Sequence, residues 1–220
     1  MIVLGIDCAT KNTNIGLIQD KEVLGEFSEE LGRKQAQKLP FIVEDLLTKA
    51  SVSLNDINYI SVTNGPGYYT GIRTGIAYSG ALGEALGIKI IPISTMLSFV
   101  YDLRKEYRYL APVIKARQLS LYCALYKFND ENIEEIIKPS FCKAKDFAIR
   151  LKDFEQAVIV GSDRELYVDI DQLPHRHLNR VSGPGRNIAI LGSVMLKKAV
   201  NSEELKGNYL RAPDIGASIG

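Results

Sequence analysis

The sequence predicts an α/β fold with the order β-β-β-α-β-α-β-α in its first hundred residues, and three observations predict it. Ile2 to Ile6 is an almost unbroken apolar run that stops at Asp7, as in a strand buried on both faces. Two more short apolar runs, 15–18 and 22–27, follow at hairpin spacing, joined at Asp20-Lys21. Helical and extended segments then alternate to about residue 104, with glycine and proline at the joints. A strand meander that goes on to receive crossover helices describes a ribonuclease-H-like lobe.

Each element has its own signal. Residues 8–14 are small and polar, as a tight turn requires. From about Arg33 to Ala50, the residues Ala36, Leu39, Val43, Leu46 and Leu47 recur at helical spacing. Pro40 kinks this helix or marks its true start. The strand Ile57–Thr63 runs into the turn Asn64-Gly65-Pro66-Gly67. A second helix covers about Thr70 to Leu86 and closes at Gly87, a C-cap residue. A strand at Ile88–Ile93 and a helix at Thr95–Arg104 complete the first lobe. In the second half, Ala111–Ala116 and Leu119–Tyr126 read as a hairpin, with another strand at Asn132–Pro139 and a short helix at Asp146–Leu151. Ala157–Gly161 reads as a buried strand, residues 162–186 carry loop signals, and Asn187–Ala199 reads as a helix. The same plan thus recurs in two lobes. The first spans 1–105, and a smaller, more variable second spans 106–220, its last residues returning to the first.

Composition bounds the function. The chain has 220 residues, of which 46% are hydrophobic and 24% charged, with a formal net charge of +1. That balance is ordinary for a soluble globular chain and gives no field for a dedicated nucleic-acid binder. The three cysteines, Cys8, Cys123 and Cys142, stand far apart with no C-x-x-C pair, which fits a reducing compartment. The first apolar run is too short for a signal peptide, and no stretch approaches the length of a membrane span. A cytoplasmic protein is expected.

Asp7 stands at the end of a strand where α/β sheets gather their ligands. Together with the loop 64–71 it makes a candidate phosphate site of Asp7, Thr10, Gly65, Gly67 and Thr70, since a glycine-rich loop before a helix offers free amides and a dipole to an anion. The plainer reading is that Asp7, Thr10 and Thr13 tie down a turn, and that the glycines serve the strand-to-helix connection. The loop is neither a P-loop nor G-x-G-x-x-G. Catalytic arrangements are missing: His175 and His177 fall in a loop-like stretch and read as solvated, and no H-E-x-x-H or G-x-S-x-G is present. Cys8 follows Asp7, whose charge opposes a thiolate. A two-lobed nucleotide clamp would need an acid after the strand at 111–114, where the chain has Lys115-Ala116-Arg117. Weak or absent ATP binding by the isolated chain is expected.

The second helix is the most informative segment. Gly71, Gly75, Ser79, Gly83 and Gly87 recur every four residues. Each interior glycine costs about 1 kcal/mol relative to alanine, so a closely packed neighbour must offset them. That neighbour is this chain's own sheet or first helix, or the matching helix of a second subunit. The sequence leaves both open.

The run from Asn64 to Ile76, NGPGYYTGIRTGI, resembles the G-P-G-S-F-T-G-x-R-x-G signature of bacterial TsaB (YeaZ-like) proteins. Met1–Thr10 resembles their opening strand and turn, and Ile93-Ser94-Thr95-Met96 their V-S-T-L segment. Ala116-Arg117-Gln118 is similar to their D-A-R segment, and Tyr209-Leu210-Arg211 to their Y-L-R. The similarity spans the chain and is dense in residues 1–97. Three departures stand out: Arg33-Lys34-Gln35-Ala36-Gln37 lacks the histidine of R-x-H-S-Q, Lys115 replaces the acid of D-A-R, and Tyr68 and Tyr69 replace serine and phenylalanine.

The resemblance implies an actin/hexokinase-like two-lobed fold. It implies a non-catalytic subunit needed for threonylcarbamoyl transfer to adenosine 37 of tRNAs reading codons that begin with A. The catalytic work then belongs to a TsaD-like paralogue with metal-binding histidines, and a TsaE-like ATPase joins the assembly. It implies a homodimer when the chain is free, tRNA contact only through the complex, no tightly bound cofactor or metal, and ATP or ADP at most at a partner interface. The partner surface is then expected at Gln35, Leu39, Val43, Arg73, Gly75, Ile76, Ser79 and Gly83. The alternative is a self-sufficient ATP-binding transferase or hydrolase that uses Asp7 and the 64–71 loop. A distant peptidase likeness finds no nucleophile or metal ligands in this chain.

Overall fold

β1 (Ile2–Asp7), β2 (Thr13–Gln19) and β3 (Glu22–Glu29) form an antiparallel meander. The structure, a computed structural model, describes residues 1–116, 120–129, 132–162, 170 and 172–211. β4 (Ile57–Gly65) and β5 (Ile90–Ser94) add in parallel, giving the order β3-β2-β1-β4-β5. α1 (Gln35–Lys49) and α2 (Tyr69–Leu86) make the crossovers and cover one face of the sheet. There Leu4, Ile6, Leu17 and Val62 bury against Leu39, Val43, Leu46 and Leu47. Pro40 lies inside α1 rather than at its start. α2 ends as its sequence predicts, with Gly87 left-handed at φ 64.

A second sheet repeats the plan. β6 (Tyr109–Lys115), β7 (Ser120–Asn129) and β8 (Asn132–Lys143) form a meander, and β9 (Val158–Gly161) and β10 (Arg176–Asn179) add in parallel. The order β10-β9-β6-β7-β8 is that of the first sheet read from the other edge. β10 was expected to be loop. Its four residues, RHLN, are too few for an alternating pattern to register. His177 therefore lies in a strand. His175, expected to be solvated, is 6% exposed, with its Nε2 3.0 Å from the Phe154 carbonyl. Of the D-A-R likeness, Arg117 and Gln118 lie outside the described residues.

Two helices are sandwiched between the sheets. α3 (Thr95–Val100) tightens into a 3-10 turn over Tyr101–Lys105, shorter than the expected span. α5 (Gly185–Val194) follows β10 yet packs on the first sheet, ending before the expected Ala199. Backbone meets backbone there: a Cβ on Gly5 would fall 2.4 Å from the Ala189 nitrogen. Ile93, Phe99, Tyr126, Val160, Ile188 and Leu191 fill the core between the sheets. An ionic clamp closes it: Arg180 donates to both oxygens of Asp102 at 2.7 and 2.9 Å, and Asn187 donates to Asp102 Oδ1 at 3.0 Å and the Ser98 carbonyl at 2.7 Å. On the far face of the second sheet, α4 (Ala144–Leu151) buries Phe147 and Leu151 against Leu121, Cys123 and Leu125. Beyond α5 the chain returns to the first lobe, where Val200 and Ile90 exchange backbone hydrogen bonds of 2.9 and 2.8 Å. Among the described residues no helix is long and apolar enough to cross a membrane.

Candidate functional site

β1 carries Asp7 to the end of the sheet, but its carboxylate faces inward and is 2% exposed. Oδ1 accepts from the Ala9 amide at 2.8 Å and from the Thr63 hydroxyl at 2.6 Å. Oδ2 accepts from the Thr10 hydroxyl at 2.8 Å and from Asn14 Nδ2 at 2.9 Å. Burial pushes the carboxyl above its ordinary 3.8, while the same donors, Thr63 foremost, pull it down. Both oxygens are thus occupied by the chain itself. The site ties the β1–β2 turn to β4, as the plainer sequence reading has it. α1 is pinned to the same knot, because Gln35 Nε2 donates to Thr13 Oγ1 at 2.8 Å and to the Cys8 carbonyl at 3.4 Å.

The remaining phosphate candidates do not converge on open space. The Tyr68 amide donates to the Ala9 carbonyl at 2.8 Å, and a Cβ on Gly67 would lie 2.3 Å from that oxygen. Gly65, at φ 118, is covered by residues 206–208, since the Asn208 amide donates to the Asn64 carbonyl at 2.6 Å. Thr10 is buried, which leaves Thr70 as the exposed member of the set. The loop 64–71 packs on the β1–β2 turn and on the C-terminal segment.

The glycine ridge faces inward. A Cβ on Gly71 would sit 1.8 Å from the Cys8 carbonyl oxygen, and one on Gly83 would sit 2.9 Å from Ile90 Cδ1. Gly75 touches Val62 and Cys8 at ordinary contact distance. The close neighbour that the sequence demanded is therefore this chain's own sheet. Five of the eight expected partner residues, Leu39, Val43, Gly75, Ser79 and Gly83, are buried within the chain, which corrects their placement on an outer surface. Arg73 is exposed, and Gln35 and Ile76 are half-buried.

The outward side of the same two helices is open. A groove of about 460 Å³ runs between α1 and α2, lined by Ala36, Tyr69, Arg73, Ala77 and Tyr78 over a floor of Leu39. Phe41 stands on α1 with 68% of its surface exposed. Gly80 has nothing within 4 Å of its Cβ position, and Ala77 and Ala81 are exposed beside it, so this face of α2 is nearly flat. Arg73 lies over the Tyr69 ring at 5.5 Å, and Tyr69 meets Tyr209 at 5.1 Å. Burial pushes the Tyr78 hydroxyl up to about 12, so it is neutral at physiological pH. Phe41 and Ala77 were missed in the sequence. The available signal was an aromatic side chain lying off the helix's apolar stripe.

The end of the second hairpin differs from the first. Lys115 ends β6 opposite Leu121, where Asp7 ends β1 opposite Asn14. The pocket between the hairpins, bounded by Lys11, Tyr68, Phe99, Ile114 and Val181, holds about 20 Å³. Among the described residues no group of three or more His, Cys, Asp or Glu side chains is placed to hold a metal ion.

Residues 20–206 match the family model described as TsaD, tRNA N6-adenosine threonylcarbamoyltransferase. The tRNA threonylcarbamoyladenosine biosynthesis protein TsaB of Bacillus subtilis is 26% identical over 168 residues, 76% of this chain and 73% of that protein. Its namesake in Escherichia coli is 32% identical over 148 residues, 63% of each chain. A crystal structure of an uncharacterized protein with similarity to peptidase YeaZ, from Pseudomonas aeruginosa, superposes with a TM-score of 0.86 at 21% identity, covering 96% of this chain and 99% of that one.

Proposed function

The chain belongs to the family described as TsaD, tRNA N6-adenosine threonylcarbamoyltransferase, and is TsaB-like within it; from that premise we propose that it is a non-catalytic subunit in the formation of threonylcarbamoyladenosine on tRNA. It acts by pairing, through the outer faces of α1 and α2, with a catalytic TsaD-like paralogue. The open α1–α2 groove, together with Phe41, 68% exposed on the outer side of α1, carries this reading. A flat, small-residue face on α2 and an exposed large apolar side chain on α1 are features a partner helix can cover closely.

Support for a non-catalytic role comes from Asp7, whose oxygens are engaged by four donors of the chain, and from Lys115 at the matching position of the other hairpin. The proposal extends to the assembly. ATP or ADP is held at the partner interface, a TsaE-like ATPase joins the pair, and tRNA is reached through the complex. The free chain self-associates through the same helices.

Co-purification and sedimentation with the TsaD-like paralogue of the same cell test the reading, using wild type, Phe41→Asp and Ala77→Glu. Both positions are exposed, so the isolated fold is retained. Loss of a central anchor is expected to weaken pairing about tenfold or more, equivalent to about 1.4 kcal/mol. Unchanged pairing in both variants, or threonylcarbamoyl transfer by the chain alone, overturns it.

A further inference from the structure

Cys123 on β7 and Cys142 on β8 bring their sulfur atoms to 3.3 Å. Leu121 pairs with Cys142 and Cys123 with Ser140, so the two thiols are diagonal neighbours on the sheet face that α4 covers. The ladder shifts register between Cys123 and Leu125, opposite the stretch of β8 that holds Pro139. Such a bulge increases local twist, and twist draws one diagonal of an antiparallel pair together. Cys123 is fully buried, whereas Cys142 is half-buried and within reach of solvent.

We propose that Cys123 and Cys142 form a thiol–disulfide exchange site, oxidised by small disulfides of the glutathione type, that staples β7 to β8. A disulfide places its sulfurs about 2.05 Å apart, and reacting atoms held about 3–3.5 Å apart are already in a near-attack arrangement. Cys142 is the attacking thiol. The hydrogen bond from Cys123 and the charge of Arg150 favour its thiolate, against burial and Asp146. Cys123 is the resolving thiol. Cys8 takes no part, since it is buried beside the Asp7 carboxylate and both effects oppose its ionisation.

The exchange balances in two steps. The Cys142 thiolate attacks one sulfur of glutathione disulfide, which forms a mixed disulfide and releases one glutathione thiolate. The Cys123 sulfur then attacks Cys142 Sγ, and the second glutathione leaves as the thiol, taking the Cys123 proton. Two protein thiols lose two electrons and two protons, and glutathione disulfide becomes two glutathione thiols. The site lies in the second sheet, apart from the α1–α2 groove, so it stands or falls independently of the pairing proposal.

The test incubates the full native chain with glutathione disulfide, quenches with acid, alkylates free thiols and maps peptides by mass spectrometry without reduction. One intramolecular Cys123–Cys142 bond is expected, with Cys8 alkylated and a melting temperature that rises and falls back with dithiothreitol. Cys123→Ser should accumulate glutathione on Cys142, and Cys142→Ser should accumulate none on Cys123. Three free thiols in wild type after complete incubation, a mixed disulfide on Cys142 that never resolves, or a bond between two chains would each overturn the proposal. The wild-type peptide map does not depend on how well either variant folds.

Discussion

Two glycines of one helix, Gly71 and Gly80, should respond in opposite directions to the same substitution. A Cβ at position 80 meets nothing within 4 Å, so Gly80→Ala adds a methyl group without contact and removes the glycine penalty of about 1 kcal/mol. For a chain of this size that raises the melting temperature by about 2–4 °C. A Cβ at position 71 would lie 1.8 Å from the Cys8 carbonyl oxygen. Either the start of α2 or the end of β1 must withdraw by more than an ångström. The same oxygen accepts from Gln35, which withdrawal would disturb. Overpacking of this kind costs about 1–3 kcal/mol. Because both changes are Gly→Ala in one helix, their effects on the unfolded chain nearly cancel in the comparison. Urea unfolding of the isolated chain, followed by circular dichroism, should therefore rank the proteins Gly80→Ala, wild type, Gly71→Ala. A Gly71→Ala protein as stable as wild type would refute the inward placement of the ridge, and a destabilised Gly80→Ala protein would refute the open outer face.

Other outcomes follow from the buried polar groups. Asp7→Ala leaves the Ala9 amide and Asn14 Nδ2 without their carboxylate, while the Thr10 and Thr63 hydroxyls are free to turn. One stranded N–H donor, the Ala9 amide, costs about 1–3 kcal/mol, since Asn14 Nδ2 keeps its bonds to Thr10 Oγ1 and the Asn12 carbonyl; this is read as a shift in urea midpoint, and a shift under a quarter of that would show the knot to be dispensable. The Asp7 carboxyl is held above 3.8 by burial, so its contribution is full below that pH and declines as pH rises through the folded value. Wild type should show this decline and Asp7→Asn should not. Burial also pushes Asp102 up, but Arg180 and Asn187 outweigh it and hold its carboxyl below 3.8. Its stabilisation is present above 3.8 and is lost as pH falls through the folded value, so Asp102→Asn should flatten the acid limb of stability below about pH 4. An acid limb identical in both proteins would dismiss the clamp as an electrostatic contributor.

The strand meander, both crossover helices and the Gly87 cap were legible because each rests on local chemistry: apolar runs, helical spacing and a residue tolerant of positive φ. The knot at Asp7 was legible as one of two readings, since a carboxylate followed by Thr10 and Asn14 serves a turn or a phosphate equally well in one dimension. Thr63 separates those readings, and it arrives from 56 residues away. The ridge on α2 announced that a backbone lies close but not whose backbone it is. Leu39 and Val43 belong to the core stripe of α1, and Phe41 lies between them on the outward side. A four-residue strand such as β10 carries no period at all, so its pairing with β9 is a property of the assembled sheet.

The two sheets share one plan, and they differ at the ends of their matching strands. β1 and β6 occupy matching places beside a meander partner and a parallel neighbour. At their ends stand Asp7 and Lys115, the first enclosed by donors and the second a cation opposite Leu121. A nucleotide gripped between two hairpins needs room and free donors at both. Among the described residues a small pocket of about 20 Å³ lies near them, space for about one water molecule. The larger concavity, about 460 Å³, lies on the outer helical face of the first lobe. The helices seal one side of the sheet with glycine and leucine and turn Phe41, Arg73 and Ala77 outward. The proposed pairing places the function on that flank, where the largest open surface of α1 and α2 lies.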